Sequence, residues 1–150
     1  MRTPQTDRPM RRFVHLLQRV APFGHKRILL LEDDPSMQRL VAKLLRSSLH
    51  VKVELFGNGR AVNARIATQT ERYDALLLDL MMPHDGGLTV LRNLREHHPS
   101  LLARVILLTG SGSAITDPWS SLIFAVVAKP FEASALTSTV RACIRKRVSQ

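Results

Sequence analysis

A single cysteine, Cys143, occurs in the 150 residues, which excludes an internal disulfide and leaves the redox compartment undecided. Its neighbours Val140 and Ile144 point to a small buried hydrophobe rather than a reactive thiol. No apolar run approaches the ~20 residues that a membrane-spanning helix requires. Aromatics are few, with one Trp, one Tyr and five Phe, and they are not interleaved with basic residues into a nucleic-acid platform. Glycine and proline are too sparse for a low-complexity chain, so most of the sequence is expected to fold, as one domain of ordinary size. Acidic residues are also scarce, 12 against 22 Lys and Arg, for a formal charge of +10.

That charge is confined to the ends. Residues 1–27 hold Arg2, Arg8, Arg11, Arg12, Arg19, Lys26 and Arg27 against Asp7 alone, a surplus of +6. Residues 141–150 hold Arg141, Arg145, Lys146 and Arg147 with no acid, a surplus of +4. The stretch between has eleven charges of each sign. A neutral domain with basic ends argues against a basic groove across the fold. It leaves nucleic-acid or membrane contact through the termini as a secondary reading beside plain solvation. Within residues 1–25, Met10, Phe13, Val14, Leu17 and Val20 fall on one side of a possible amphipathic helix. Gln18 and Arg19 interrupt what would be the apolar core of a secretory signal. The Arg-rich, acid-poor composition leaves an organelle transit peptide as a minor alternative.

The part that carries chemistry is residues 26–147, followed by a short tail, 148–150. Ile28 to Leu31 reads as a strand ending on Glu32-Asp33-Asp34, and Asp34-Pro35 is an N-cap with proline in the first turn. Leu40, Val41, Leu44, Leu45 and Ser48 predict the buried stripe of a helix to about Leu49. Val51 to Leu55 alternates as an edge strand, and Gly57-Asn58-Gly59 separates it from a short helix bearing Val62 and Ile66. Ala75 to Leu78 predicts a buried strand that delivers Asp79. After it come Met82-Pro83, a Gly86-Gly87 turn and a helix from about Leu88 to His97, striped by Leu88, Val90, Leu91 and Leu94 and stopped by Pro99. Arg104 to Leu108 and Ile123 to Ala128 predict two further strands, ending on Thr109 and Lys129. The Ser-rich stretch 111–121 between them has at most a short helix. Glu132 to Arg147 predicts a last helix with Leu136, Val140, Cys143 and Ile144 inward.

Five apolar runs alternating with helices describe βαβ units on a parallel sheet. Right-handed crossovers and an early edge strand select a flavodoxin-like, doubly wound α/β fold of strand order 2-1-3-4-5. In that topology Glu32-Asp33, Asp79, Thr109 and Lys129 all reach the C-terminal edge of the sheet. Each alone has an ordinary reading: a helix cap, a turn acid, a turn hydroxyl, a solvated lysine. Together they make a site. Carboxylates gathered this closely repel and invite a divalent cation, and oxygen-only ligands suit Mg²⁺. With a lysine and a hydroxyl, they supply what stabilises a phosphoryl group in transfer, with Asp79 as the nucleophile forming an acyl phosphate.

The set EDDP (32–35), LLLDLMMP (76–83), LLTG (107–110) and AKPF (128–131) resembles the receiver domain of two-component response regulators over about residues 26–147. The resemblance implies a phosphoacceptor, Asp79. It implies Mg²⁺ held by Glu32, Asp33, Asp79 and the backbone carbonyl of Met81. Thr109 would hydrogen-bond the phosphoryl group and Lys129 would pair with it. The implied donor is a histidine kinase or phosphotransfer protein, the location the cytoplasm, and the output a protein contact with an unidentified partner. Such a domain assists its own phosphorylation and dephosphorylation and is not otherwise an enzyme. The chain departs from the family pattern in three places. Gly86-Gly87 stands where Asp-Gly is usual, which glycine's freedom tolerates. Val126 stands where the last strand usually has Tyr or Phe, an altered switch position. The interval from Thr109 to Lys129 is about two residues shorter than usual and holds Pro118 and Trp119, so Trp119 either anchors a partner or packs over a shortened helix.

Competing readings are a receiver-like docking module that does not switch, and a receiver tethered by its basic ends. A haloacid-dehalogenase-type phosphatase fails because Met81 occupies the place of its second acid. Gly110-Ser111-Gly112 fails as a dinucleotide fingerprint because Ile115 replaces the third glycine.

Overall fold

Strands with no polar residue in their middle need cover on both faces, and the sheet has it. The computed structural model describes residues 25–69, 73–110 and 119–148. The N-terminal extension through residue 24 with its expected helix, the Ser-rich stretch to Pro118 and the last two residues lie outside the described residues. The elements are β1 (Arg27–Leu31), α1 (Pro35–Leu49), β2 (Lys52–Phe56), α2 (Gly59–Thr68), β3 (Ala75–Asp79) and α3 (Gly87–His97). A 3₁₀ helix (Pro99–Arg104), β4 (Val105–Gly110), β5 (Ala125–Lys129) and α4 (Ala133–Val148) complete them. All strands pair in parallel in the order β2-β1-β3-β4-β5, as the sequence predicts.

Alternate residues of the three central strands divide the core in two. Ile28, Leu30, Ala75, Leu77, Ile106 and Leu108 face α1 and α4, against Val41, Leu45, Leu49, Leu136, Val140 and Ile144. Leu29, Leu31, Leu76, Leu78, Val105 and Leu107 face α2 and α3, against Val62, Ile66, Val90, Leu91 and Leu94. Each such leucine, removed fully from water, contributes about 1.5–3 kcal/mol. Cys143 lies in the first cluster, where burial pushes its thiol up to about 12. That is the inert hydrophobe expected.

Local signals place the helix starts. The Asp34 carboxylate accepts from the Ser36 and Met37 amides at 2.7 and 3.1 Å and caps α1, and these bonds hold it below the usual carboxylate range. Asn58 caps α2 through the Ala61 amide at 2.9 Å. Three expectations shift. On α1, Leu40 is exposed (61%) and Ser48 is exposed, while Val41, Ala42, Leu45 and Leu49 are buried. At about 100° per residue, one step along the helix turns the inward row from Leu40 to Val41. On α3, Leu88 is half-exposed and Gly87 takes the inward place at the sheet edge. The strands β4 and β5 begin later than expected. The 3₁₀ helix uses Arg104, and the turn bonds Ile123 N–H to the Trp119 carbonyl at 3.1 Å.

Candidate functional site

Parallel register brings the strand ends level. Leu31 pairs with Leu78, Asp79 with Leu108, Thr109 with Ala128 and Gly110 with Lys129. Glu32 continues the line of β1, its amide bonded to the Phe56 carbonyl at 3.0 Å, and is buried. Asp79 is buried at the end of β3.

Lys129 joins them. Its Nζ donates to Glu32 Oε2 at 2.8 Å and to Asp79 Oδ2 at 2.9 Å. The other oxygens accept backbone amides, Glu32 Oε1 from Asp34 N–H at 3.0 Å and Asp79 Oδ1 from Met81 N–H at 2.9 Å. Asp33 is exposed at the mouth, and one carboxylate oxygen from each of Glu32, Asp33 and Asp79 lies within 4.8 Å of the others. Burial pushes the Glu32 carboxyl up, and the nearby Asp79 charge adds to this. The bonds from Lys129 and the Asp34 amide oppose it without winning. Burial pulls the Lys129 ammonium down, but its bonds to Glu32 and Asp79 outweigh that and its pKa stands above the ordinary value. Three carboxylates against one ammonium leave the cluster anionic, with oxygen donors only. Those donors fit a hard divalent cation.

The remaining expected residues divide. Met81 turns its backbone amide to Asp79 and leaves its side chain exposed. Thr109 is buried on β4 with its hydroxyl donating to the Gly110 carbonyl at 3.2 Å. Val126 is 43% exposed on β5, an aliphatic side chain on the outermost strand. Trp119 is half-buried and packs against the core on the α2–α3 side, with the Arg95 guanidinium 5.6 Å from its ring centre. That favours packing over partner anchoring.

Two contributors escaped the sequence reading. Gly87 lies so close under Asp79 that an added Cβ would meet the Asp79 carbonyl oxygen at 2.6 Å. The sequence marks Gly87 as a turn residue, and its place at the first position of a helix was the available signal. The Gln38 amide donates to the Glu32 and Phe56 carbonyls, each at 3.2 Å, and so ties the exits of β1 and β2 together. No sequence signal distinguishes it from other polar residues of α1.

A family model, the response regulator receiver domain, matches residues 28–141. The chain belongs to that family. The receiver protein CpdR of Brucella abortus is 32% identical over 117 residues, covering 77% of this chain and 93% of CpdR. The response regulator PmrA of Pseudomonas aeruginosa is 36% identical over 126 residues, covering 80% of this chain but only 53% of PmrA. The chain thus spans about half the length of that relative. Among solved structures, a receiver domain from Clostridium thermocellum superposes with a TM-score of 0.72 at 23% identity, over 83% of this chain and 99% of that one. This receiver is also similar to the response regulator TrrA of Thermotoga maritima, solved in complex with Mg²⁺–BeF. That match has a TM-score of 0.68 at 27% identity, over 79% of this chain and 98% of TrrA. Membership makes the chain a receiver of two-component signalling.

Proposed function

We propose that this receiver accepts a phosphoryl group on Asp79 from a histidine kinase or phosphotransfer protein. The observation that carries the reading is the buried Asp79 carboxylate, bridged to Glu32 by Lys129 and within 4.8 Å of Glu32 and Asp33 oxygens. An Asp79 oxygen attacks phosphorus, the new O–P bond forms as the P–N bond of the donor phosphohistidine breaks, and the departing imidazole keeps the electron pair and a proton. Lys129 shifts from its two carboxylate partners toward the incoming phosphoryl oxygens, and the Thr109 hydroxyl leaves Gly110 to donate to them. The Met81 amide orients Asp79 throughout. Glu32, Asp33, Asp79 and the Met81 carbonyl would hold Mg²⁺, which when bound offsets charge on the phosphoryl oxygens. The phosphorylated domain then signals by contact with a downstream protein, in the cytoplasm where such donors work. No helix among the described residues is long and apolar enough to cross a membrane.

The test is incubation with Mg²⁺ and acetyl phosphate. One added phosphoryl mass, lost in Asp79→Asn, is the expected result; no labelling of the wild type at any Mg²⁺ concentration overturns the reading. A second reading, a docking module that does not switch, is carried by the exposed Val126 in place of an aromatic ring. It is distinguished by partner binding that is the same for labelled protein and for Asp79→Asn.

A further inference from the structure

The backbone between β3 and α3 carries the Met81 amide that holds Asp79, yet much of that loop lies beyond the sheet. Leu80 N–H still reaches the Leu108 carbonyl at 2.9 Å, the last ladder bond. Beyond it, His84 sits in the left-handed region at φ 60°, uncommon for a residue with a Cβ although histidine is among those that enter it most readily. Within the loop, Gly86 N–H donates to the His84 carbonyl at 2.9 Å. From outside, the first residue of α2 touches the next two residues, Asp85 and Gly86. Gly59 N–H donates to the Asp85 carbonyl, and a Cβ at Gly59 would meet the Asp85 oxygen at 2.7 Å and the Gly86 oxygen at 3.0 Å. At the far end the loop is pinned again by Gly87 against the Asp79 carbonyl. An ion pair between Arg60 and Asp85 at 3.5 Å, largely exposed, adds little.

Gly57, two residues earlier in the same turn, separates a turn requirement from a contact requirement. A Cβ at Gly57 would meet no atom within 4 Å. Both glycines follow the same strand, but only Gly59 abuts the loop of the site.

We infer that Gly59 is a positioning residue: it seats the loop 80–86 so that the Met81 backbone is presented to Asp79. The inference rests on the phosphoacceptor reading for its functional consequence but not for its structural one. A methyl group at Gly59 displaces Asp85 and Gly86, and the displacement passes along the loop to Met81. Because Met81 holds Asp79 through its backbone amide, a side-chain substitution at Met81 does not remove that bond.

The test compares Gly59→Ala with Gly57→Ala. Amide hydrogen exchange at Met81 is expected to speed at least tenfold in G59A and to stay at the wild-type rate in G57A. Exchange at Leu45, buried in α1, reports global opening, and the tenfold change at Met81 is read relative to it in each protein. The Mg²⁺ concentration for half-maximal acetyl phosphate labelling is expected to rise roughly tenfold in G59A, the usual scale for loss of a group that orients a metal ligand. A folded G59A with wild-type exchange at Met81 and wild-type Mg²⁺ dependence overturns the inference, as does an equal effect of G57A. If G59A does not fold, the wild type decides. Gly59 and Met81 amides opening together support the coupling, and Gly59 exchanging a hundredfold faster than Met81 refutes it. Absence of labelling in the wild type overturns the phosphoacceptor reading alone, and the Met81 exchange rates then judge this one.

Discussion

Replacing Lys129 by methionine removes the ammonium and keeps most of the side chain's volume, so it isolates the charge. The ammonium makes two bonds, at 2.8 and 2.9 Å, to carboxylates whose side chains are only 2% and 5% exposed. Hydrogen bonds to charged partners contribute about 1.5–3 kcal/mol each. Without the lysine, Glu32 and Asp79 face each other with oxygens within 4.8 Å, a repulsion of about 3 kcal/mol at an effective dielectric near 20. These costs overlap, and the lysine is itself 21% exposed, so water recovers part of them. Protonation of Glu32, already favoured by burial, recovers more. The expected net loss is about 2–4 kcal/mol near pH 8 in EDTA, a large share of the ~5–15 kcal/mol typical of a domain. The sign with pH follows from linkage. Removing the cation takes away what opposes the upward shift of the Glu32 carboxyl, so the folded variant binds a proton that the unfolded chain releases. Its deficit therefore shrinks as pH falls from 8 toward the ordinary carboxylate range. Millimolar Mg²⁺ should stabilise K129M more than the wild type, because a cation held by the three carboxylates would offset charge that the lysine no longer offsets. Equilibrium urea unfolding at both pH values, with and without Mg²⁺, measures all three effects. A K129M protein within about 0.5 kcal/mol of wild type near pH 8 in EDTA would refute the electrostatic account, since surface lysines lose no more than that.

The other expectations are simpler. The Lys129 pKa lies above the ordinary 10.5, so its contribution is complete below that value and is lost as pH rises through the higher folded one. The wild-type urea midpoint should fall in that window while K129M changes less. Gly87→Ala should cost about 1–3 kcal/mol by urea unfolding, because the methyl would lie 2.6 Å from the Asp79 carbonyl oxygen. Leu77→Ala, in the fully buried middle of β3, should cost about 2–5 kcal/mol. Cys143, with its thiol near 12, should resist alkylation at pH 8 in the folded protein and react on addition of urea, with about a thousandfold less thiolate when folded. Equal rates in both states would contradict its burial.

The architecture was legible because its signals are local and redundant. Ile28 to Leu31, Ala75 to Leu78 and Val105 to Leu108 are too apolar to be anything but buried, and Asp34-Pro35 starts α1 by chemistry that needs no distant partner. Helix rotation was less legible. Leu40 and Val41 are both apolar and adjacent, and only the packing of the helix against the sheet buried Val41 rather than Leu40. The starts of β4 and β5 moved because a 3₁₀ helix and a turn competed for the same apolar residues.

The candidate residues came from the sequence alone: Glu32, Asp33, Asp79, Thr109 and Lys129 lie at or next to the C-terminal end of a strand, and a parallel sheet sends all such ends to one edge. What the tertiary structure decided is how they stand toward one another. It placed Lys129 between Glu32 and Asp79, turned the Met81 amide onto Asp79, and left the Val126 side chain 43% exposed. It also brought Gly59 against the backbone of Asp85 and Gly86, and Gly87 against that of Asp79, closer than a Cβ would allow. A periodic pattern records which way a residue faces, because that depends on its own neighbours. A close contact depends on two segments meeting, and neither segment carries a mark of the other.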